Sequence, residues 1–283
     1  MLDYHNYRNF NFINALIIEN LIKLPTDIDL IVGIPRSGLI VSSLLAEYRN
    51  LPATDLQSFI YAHDNSKMYP QSLAPSTDIK NAKSILLVDD AMGSGQSMQK
   101  AKELILKFRK DVKIKTYVVF VEPFSTNKVD IYCSILRDQF LPWSILKRGI
   151  RDACCDIDGV LTEDVPNEAN DDGAKYIEFL KNQRPKYIPD RKIKILVTGR
   201  LEKYRAITEE WLKKHNIQYG QLIMCPYKNN MERSKQDMGK FKADIFKKSG
   251  LPLFIESDFR EANTIKKLNP DKSVYCMKIA DYI

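Results

Sequence analysis

Residues 85–97 bring together side chains and amides that can hold a sugar phosphate. An apolar run ends on two carboxylates, Asp89 and Asp90, and a polar loop then opens a helix. Exposed amides at the start of a helix attract an anion, and the helix dipole adds to this attraction. The loop residues that offer such amides are Gly93, Ser94, Gly95, Gln96 and Ser97. Because carboxylates are suited to hydroxyl groups rather than to phosphates, the segment predicts a ribose phosphate site.

A second strand and loop, residues 29–39, place a guanidinium beside small residues. The loop carries Arg36, Ser37 and Gly38 immediately before a predicted helix. Exposed amides next to a guanidinium are suited to a pyrophosphate. Either loop alone is also explained as an ordinary strand-to-helix turn of an α/β sheet, whereas the two loops together favour a phosphate-binding interpretation.

Both segments, in this order, resemble the signatures of the type I phosphoribosyltransferases, which use phosphoribosyl pyrophosphate (PRPP). The resemblance implies that Asp89 and Asp90 hold the ribose 2- and 3-hydroxyls. It also implies that residues 93–97 hold the 5-phosphate and that residues 36–38 hold the leaving pyrophosphate. Ser94 stands where the family usually has threonine, and the hydroxyl is retained.

The polar, proline-containing residues 63–77 predict a long loop between these two segments. The phosphoribosyltransferases have their closing loop at this place in the chain. By that resemblance Lys67 and Tyr69 are candidates to cover the pyrophosphate, although a solvated connection explains either residue equally well.

The second half of the chain indicates a different chemistry. The apolar run 152–156 ends on Asp156, and Asp158 follows two residues later. With this spacing both carboxylates can face one phosphoryl group, so that one attacks phosphorus while the other handles the leaving-group proton. The pattern resembles motif I of the haloacid-dehalogenase phosphatases. The resemblance implies that Asp156 becomes the aspartyl phosphate and that Asp158 is the acid/base.

Two later strands end on residues similar to further motifs of that phosphatase family. Residues 192–198 end on Thr198, which by resemblance bonds the transferred phosphoryl group, and Gly199 and Arg200 follow as candidate substrate-binding residues. Residues 253–258 end on acids, and either Glu256 or Asp258 completes a Mg²⁺ site with Asp156 and the carbonyl of Asp158. Ligands that are all oxygen are suited to this hard cation.

The phosphatases also have a lysine that neutralises the aspartyl phosphate, and this chain offers several. We favour Lys242 over Lys240 and Lys228, although a solvated basic face explains the other two equally well.

Length and patterning predict two α/β domains, residues 1–149 and 150–283. The 283 residues, of which 44% are hydrophobic, can build two cores. Strands predicted near 29–34, 56–61, 84–88, 114–121 and 129–136 alternate with helices, and so do strands near 152–156, 192–198, 220–225, 252–256 and 273–277. This alternation predicts parallel sheets covered by helices. A basic break at 147–151 marks the boundary. The resemblance implies a phosphoribosyltransferase fold followed by a phosphatase fold with a minimal cap.

Composition narrows the range of partners and compartments. No apolar run is long enough to span a bilayer, and the N-terminus does not resemble a signal peptide. Five cysteines without a CxxC pair indicate reduced residues and a cytoplasmic protein. The net charge of +7 is spread over both halves, which argues against a nucleic-acid surface but allows peripheral contact with an anionic membrane.

The two chemistries in one chain predict consecutive reactions. Over nearly its full length the chain resembles fused phosphoribosyltransferase–phosphatase proteins of bacterial surface-polysaccharide synthesis. That resemblance implies transfer of 5-phosphoribosyl from PRPP to a glycan, free or lipid-linked, followed by removal of the 5-phosphate to leave ribofuranose. Two alternatives stay open: a salvage enzyme whose acceptor is a nucleobase, and a PRPP-sensing regulator of the phosphatase.

Overall fold

A computed structural model describes residues 6–61 and 79–283, which form two compact α/β units. The first unit extends to Phe140 and the second from Leu141 to Ile283. A series of short 3₁₀ and π turns fills residues 142–152, where a basic break was predicted. The hydroxyl of Tyr187 donates to the carbonyl of Leu146, which ties these turns to a later segment of the same second unit.

The first unit is a five-stranded parallel sheet with helices. The strand order is β2-β1-β3-β4-β5, and every neighbouring pair is parallel. Strand β1 is buried along its whole length, as expected of a parallel sheet covered on both faces. The elements are α1 (Phe10–Glu19), β1 (Leu30–Gly33), α2 (Gly38–Arg49), β2 (Ala53–Asp55), α3 (Leu56–Tyr61), β3 (Ser84–Met92), α4 (Gln96–Phe108), β4 (Lys113–Val121) and β5 (Ile131–Ile135).

The prediction of a strand at 56–61 is wrong, because these residues form helix α3. The Asp55 carboxylate accepts hydrogen bonds from the amides of Gln57 and Ser58, at 2.8 and 3.0 Å. An acidic side chain that caps the first amides in this way starts a helix. Strand β2 is therefore the short segment just before this cap.

The second unit is a six-stranded sheet in the order β11-β10-β9-β6-β7-β8. All neighbours are parallel except β11, which pairs antiparallel with β10 at one edge and was not predicted. The elements are β6 (Ala153–Cys155), α5 (Ala174–Asn182), β7 (Ile193–Leu201), α6 (Arg205–Lys214), β8 (Tyr219–Cys225), α7 (Asn230–Ser234), α8 (Met238–Ser249), β9 (Leu253–Glu256), α9 (Phe259–Leu268), β10 (Ser273–Cys276) and β11 (Asp281–Tyr282).

Each unit has its own apolar core. In the second unit Trp211 is 2% exposed, and its indole nitrogen donates to the carbonyl of Gln183 at 2.8 Å.

All five cysteines are free thiols. Within the described residues, no helix is both long enough and apolar enough to cross a bilayer.

Candidate functional sites

The first candidate site lies where β1 and β3 end side by side. Gly33 is in register with Val88, so the loop after β1 lies next to Asp89 and Asp90. Strand β3 continues through both aspartates to Met92 and is therefore longer than predicted. The Ser37 hydroxyl donates to Asp90 at 2.9 Å, which links the two predicted segments directly.

Gly38 allows α2 to begin against β3. A Cβ at this position would lie 2.7 Å from the carbonyl oxygen of Val88 and 3.1 Å from the Asp89 carboxylate. Any larger residue would push the loop away from the acids. The preceding Pro35–Arg36 peptide bond is cis, and the Arg36 side chain is exposed.

The carboxyl group of Asp89 has a shifted pKa. Burial, the hydrogen bond with Asp90 and the charge of Asp90 raise the pKa of Asp89 to about 8. The amide of Asp90 donates to Asp89 Oδ1 at 2.9 Å, which opposes this shift only in part. The raised pKa favours a proton on this pair of carboxyl groups, so the pair can both donate hydrogen bonds to hydroxyl groups and accept them.

The loop before α4 presents main-chain amides without a capping side chain. Gly95 is the N-cap residue, with φ of 85°, and no side chain bonds the first amides of the helix. The exposed residues Gln96 and Ser97 follow it. Lys128, which was not predicted, donates to the carbonyl of Ser94 at 3.0 Å and borders an open cavity of about 710 Å³ beside the loop.

The predicted closing-loop residues Lys67 and Tyr69 lie outside the described residues.

The second candidate site lies where β9, β6 and β7 end together. Cys155 is in register with Ile255 on one side and Leu196 on the other. Asp156, Glu256 and Thr198 therefore meet at one edge of the sheet, where ligands of parallel α/β sheets gather. Strand β7 continues past Thr198 to Leu201, and its pairing with β8 is irregular between Val197 and Leu201.

A buried lysine joins the acids at this edge. Lys242 Nζ lies 2.7 Å from Asp156, 2.7 Å from Glu256 and 2.6 Å from Glu261, and its side chain is 3% exposed. Burial alone would lower the pKa of Lys242, but the three carboxylates raise it well above its ordinary value. Burial and the charge of Asp156 raise the pKa of Glu256 well above its usual range. The ammonium is therefore held charged between groups that would otherwise repel one another.

Asp158 is held from behind by an arginine. The Arg200 Nε and Nη2 atoms donate to the Asp158 carboxylate at 2.9 and 2.6 Å. The Thr198 hydroxyl lies 3.5 Å from the same carboxylate. Arg200 is only 1% exposed and also donates to Gln183 at 3.2 Å, so it orients Asp158 and does not line the cleft.

A cleft of about 330 Å³ opens in front of these groups. Asp156, Asp158, Lys242, Glu256 and Gly199 line it. Thr198 is fully buried behind it.

The acid at the end of β9 and the acid two residues after it have different roles in the fold. Glu256 is fully buried against Lys242, and its second oxygen accepts from the amide of Ser257 at 2.8 Å. Asp258 is exposed and caps α9 by accepting from the amides of Arg260 and Glu261 at 2.8 and 2.9 Å. Glu256 is therefore the acid that faces Asp156.

The geometry of the first unit agrees with a family match. Residues 2–144 match the family described as "Phosphoribosyl transferase domain", and this segment is about half of the chain. The chain belongs to the phosphoribosyl transferase domain family. No curated protein matches the chain.

Solved structures similar to this chain include phosphoribosyltransferases, at low identity. A purine phosphoribosyltransferase from Pyrococcus horikoshii Ot3 is 22% identical, with 48% of this chain and 92% of that chain covered and a TM-score of 0.37. The xanthine-guanine-hypoxanthine phosphoribosyltransferase of Helicobacter pylori is 14% identical, with coverage of 50% and 92% and a TM-score of 0.36. An adenine phosphoribosyl transferase from Trypanosoma brucei, in complex with AMP, pyrophosphate and ribose-5-phosphate, is 14% identical, with coverage of 44% and 62% and a TM-score of 0.29.

Outside the phosphoribosyl transferase domain, sequence reasoning missed three charged residues that line the cleft, Asp164, Arg233 and Glu261. Glu261 contacts Lys242 through an ion pair rather than a well-directed hydrogen bond. Its position five residues after Glu256, in the first turn of a helix, was a signal that could have identified it. Arg233 lies in the short helix α7, whose five residues carry no clear periodic pattern.

Proposed function

We propose that the chain is a two-step enzyme. Its first unit transfers 5-phosphoribosyl from PRPP to an acceptor, and its second unit removes the 5-phosphate from the product. The observation that carries the proposal is the buried Lys242 between Asp156 and Glu256 at the strand ends of a unit that follows a phosphoribosyl transferase domain.

In the first step, a hydroxyl oxygen of the acceptor attacks C1 of PRPP, the bond from C1 to the pyrophosphate oxygen breaks, and the hydroxyl proton is released to water. Arg36, with the amides of Ser37 and Gly38, takes up the negative charge on the leaving pyrophosphate. Asp89 and Asp90 hold the ribose hydroxyls, and the amides of residues 93–97 hold the 5-phosphate. The uncapped start of α4 supports this last assignment.

In the second step, Asp156 attacks phosphorus and the bond to the ribose 5-oxygen breaks. Asp158 gives its proton to that oxygen, and it later accepts a proton from the water that hydrolyses the aspartyl phosphate. Lys242 and the main chain of Gly199, which follows the buried Thr198 and lines the cleft, offset part of the charge of the phosphoryl oxygens. Arg200 supports this chemistry by fixing the orientation of Asp158.

The donor set at this centre fits Mg²⁺. Asp156 and Glu256 are both oxygen donors that meet on the Lys242 ammonium, and Mg²⁺ needs only one or two carboxylates when phosphate and water complete its shell. In residues 6–61 and 79–283, no three acids, histidines or cysteines are grouped to hold an ion without such help. The residues that would hold it are Asp156, Glu256 and the carbonyl of Asp158, with the exposed Asp258 as the alternative. When bound, the ion neutralises charge on the phosphoryl oxygens.

The acceptor in this proposal is a glycan, free or lipid-linked, in bacterial surface-polysaccharide synthesis. Two features of the second unit support a bulky sugar phosphate as its substrate. The rim of the cleft carries neutral polar side chains, Asn170, Ser234 and Gln236, which can bond sugar hydroxyls. Between β6 and β7 the only α-helix in the described part of the chain is α5, which fits a minimal cap. We place the reaction in the cytoplasm, with peripheral membrane contact if the acceptor is lipid-linked.

The proposal is tested by separating the two sites. Asp89→Ala combined with Asp90→Ala should abolish pyrophosphate release from PRPP and leave hydrolysis of ribose 5-phosphate intact, because Asp156 belongs to a different sheet. Panels of glycans and nucleobases, assayed with PRPP and Mg²⁺, identify the acceptor. Exhaustive chelation should stop both reactions, and added Mg²⁺ should restore them. Loss of both activities in a folded double variant contradicts the two-site proposal.

A further inference from the structure

The cleft of the second unit is short of positive charge for a phosphate ligand. A phosphomonoester brings up to two negative charges into a space of about 330 Å³ that is already acidic. Lys242 is the one lysine in its lining, and three carboxylates surround it. The acids that line the cleft are Asp156, Asp158, Asp164, Glu256, Asp258 and Glu261.

Arg233 is the other cationic residue of this lining, and it is held in a defined position. Its Nη1 donates to the carbonyl of Gly199 at 3.0 Å, and its Nε donates to Asn230 Oδ1 at 3.1 Å. The amide of Asn230 in turn donates to Asp172 at 3.0 Å, which fixes the start of α7. The guanidinium is therefore anchored next to the residue that follows Thr198.

The anchoring bonds leave most of the guanidinium available. An arginine has five N–H donors, and the two bonds above use one each. Across residues 6–61 and 79–283, no carboxylate lies within ion-pair distance of Arg233. A planar guanidinium with free parallel donors matches the oxygens of a phosphate.

We infer that Arg233 is a substrate-binding residue that clamps the oxygens of the phosphoryl group in this cleft. The inference rests on the proposed phosphatase function, and it deepens that function by naming the ligand class, a phosphomonoester dianion on a sugar. The neutral side chains of Asn170, Ser234 and Gln236 at the rim then face the sugar rather than the phosphate. Arg233 adds a second positive charge beside that of Lys242, which three carboxylates share.

Arg233→Met and Arg233→Lys test this role, with Arg205→Met as the matched control. Arg205 belongs to the same unit and also donates to a main-chain carbonyl, that of Leu222 at 3.2 Å, but it does not line the cleft. Binding of inorganic phosphate is measured by calorimetry, and hydrolysis of ribose 5-phosphate by steady-state kinetics. Urea unfolding of each variant establishes that it is folded.

We expect Arg233→Met to weaken phosphate binding and lower kcat/KM by about 10- to 100-fold, as for the loss of a charge-assisted hydrogen bond. Arg233→Lys should keep part of the binding, because it retains charge without the planar fork. Arg205→Met should stay within about twofold of the parent protein.

Unchanged phosphate binding by a folded Arg233→Met protein overturns the inference, and so does an equal loss in Arg205→Met. Absence of phosphate binding by the parent protein overturns it as well. If the parent binds phosphate through Arg233 but hydrolyses no phosphomonoester, the anion site stands and the proposed phosphatase step fails.

Discussion

Replacing Lys242 with methionine should destabilise the second unit strongly, and by an amount that depends on pH. The side chain is 3% exposed and contacts Asp156, Glu256 and Glu261 within 2.7 Å. Removing it leaves three carboxylates close together with no counter-charge. Loss of one partner from a buried ion pair costs about 3–5 kcal/mol, and we expect a loss of this size at pH 8.

The sign of the pH dependence follows from the acids. Burial and the charge of Asp156 already raise the pKa of Glu256, and burial raises that of Glu261, while the ammonium opposes both shifts. Without the ammonium these pKa values rise further. A raised folded-state pKa stabilises the folded protein at low pH, and this contribution is lost as the pH rises through that pKa. The penalty of Lys242→Met should therefore be smaller at pH 5.5 than at pH 8.

Urea unfolding followed by tryptophan fluorescence measures this loss of stability in the second α/β unit, which contains Lys242. The chain has two tryptophans, Trp143 and Trp211, and both belong to the second unit. Lys240→Met is the matched control, because Lys240 is an exposed residue of the same helix and its loss should cost less than about 0.5 kcal/mol. Adding Glu261→Gln to Lys242→Met should recover part of the stability. A penalty below about 1 kcal/mol at pH 8, or an equal penalty at both pH values, refutes the reasoning.

Two further predictions concern the first unit. Gly38→Ala should destabilise the protein by about 1–3 kcal/mol in thermal unfolding, because the added Cβ would lie 2.7 Å from the Val88 carbonyl. Gly93→Ala is its control, since nothing lies within 4 Å of the added atom, and equal losses would contradict the close-approach argument. Asp89→Asn should flatten the pH dependence of stability. Because the folded pKa of Asp89 is raised to about 8, the parent protein loses stability as the pH rises from about 4 to 8, by about 1.4 kcal/mol per pH unit at most. Unfolding midpoints of parent and variant that fall in parallel over this range would exclude Asp89 as the cause.

The meeting of acids from distant segments could be predicted because parallel strands align their carboxyl ends. Asp156 and Glu256 are about one hundred residues apart in the chain, yet the register of Cys155 with Ile255 places them side by side. The pairing of Ser37 with Asp90 has the same origin, since Gly33 lies beside Val88. In both units the order of strands and helices was enough to bring the predicted segments to one edge.

The choice among similar residues depends on packing that local sequence does not contain. Lys242 differs from Lys240 because one face of α8 is buried, which only the docking of that helix decides. Arg200 was predicted to bind the substrate, but it is bonded to Asp158 and does not line the cleft. The helix at 56–61 was predicted as a strand because its apolar run hid the cap formed by Asp55.

The most direct test of the two-step account compares the products of the parent protein and Asp156→Asn. Both are incubated with PRPP, Mg²⁺ and each member of the glycan and nucleobase panels, and the modified acceptor is analysed by mass spectrometry. An amide cannot form the aspartyl phosphate, so the variant should release pyrophosphate at the parent rate and accumulate a product heavier by one phosphate group on the ribose 5-position. Release of the unphosphorylated ribosyl product by Asp156→Asn at the normal rate would contradict the account.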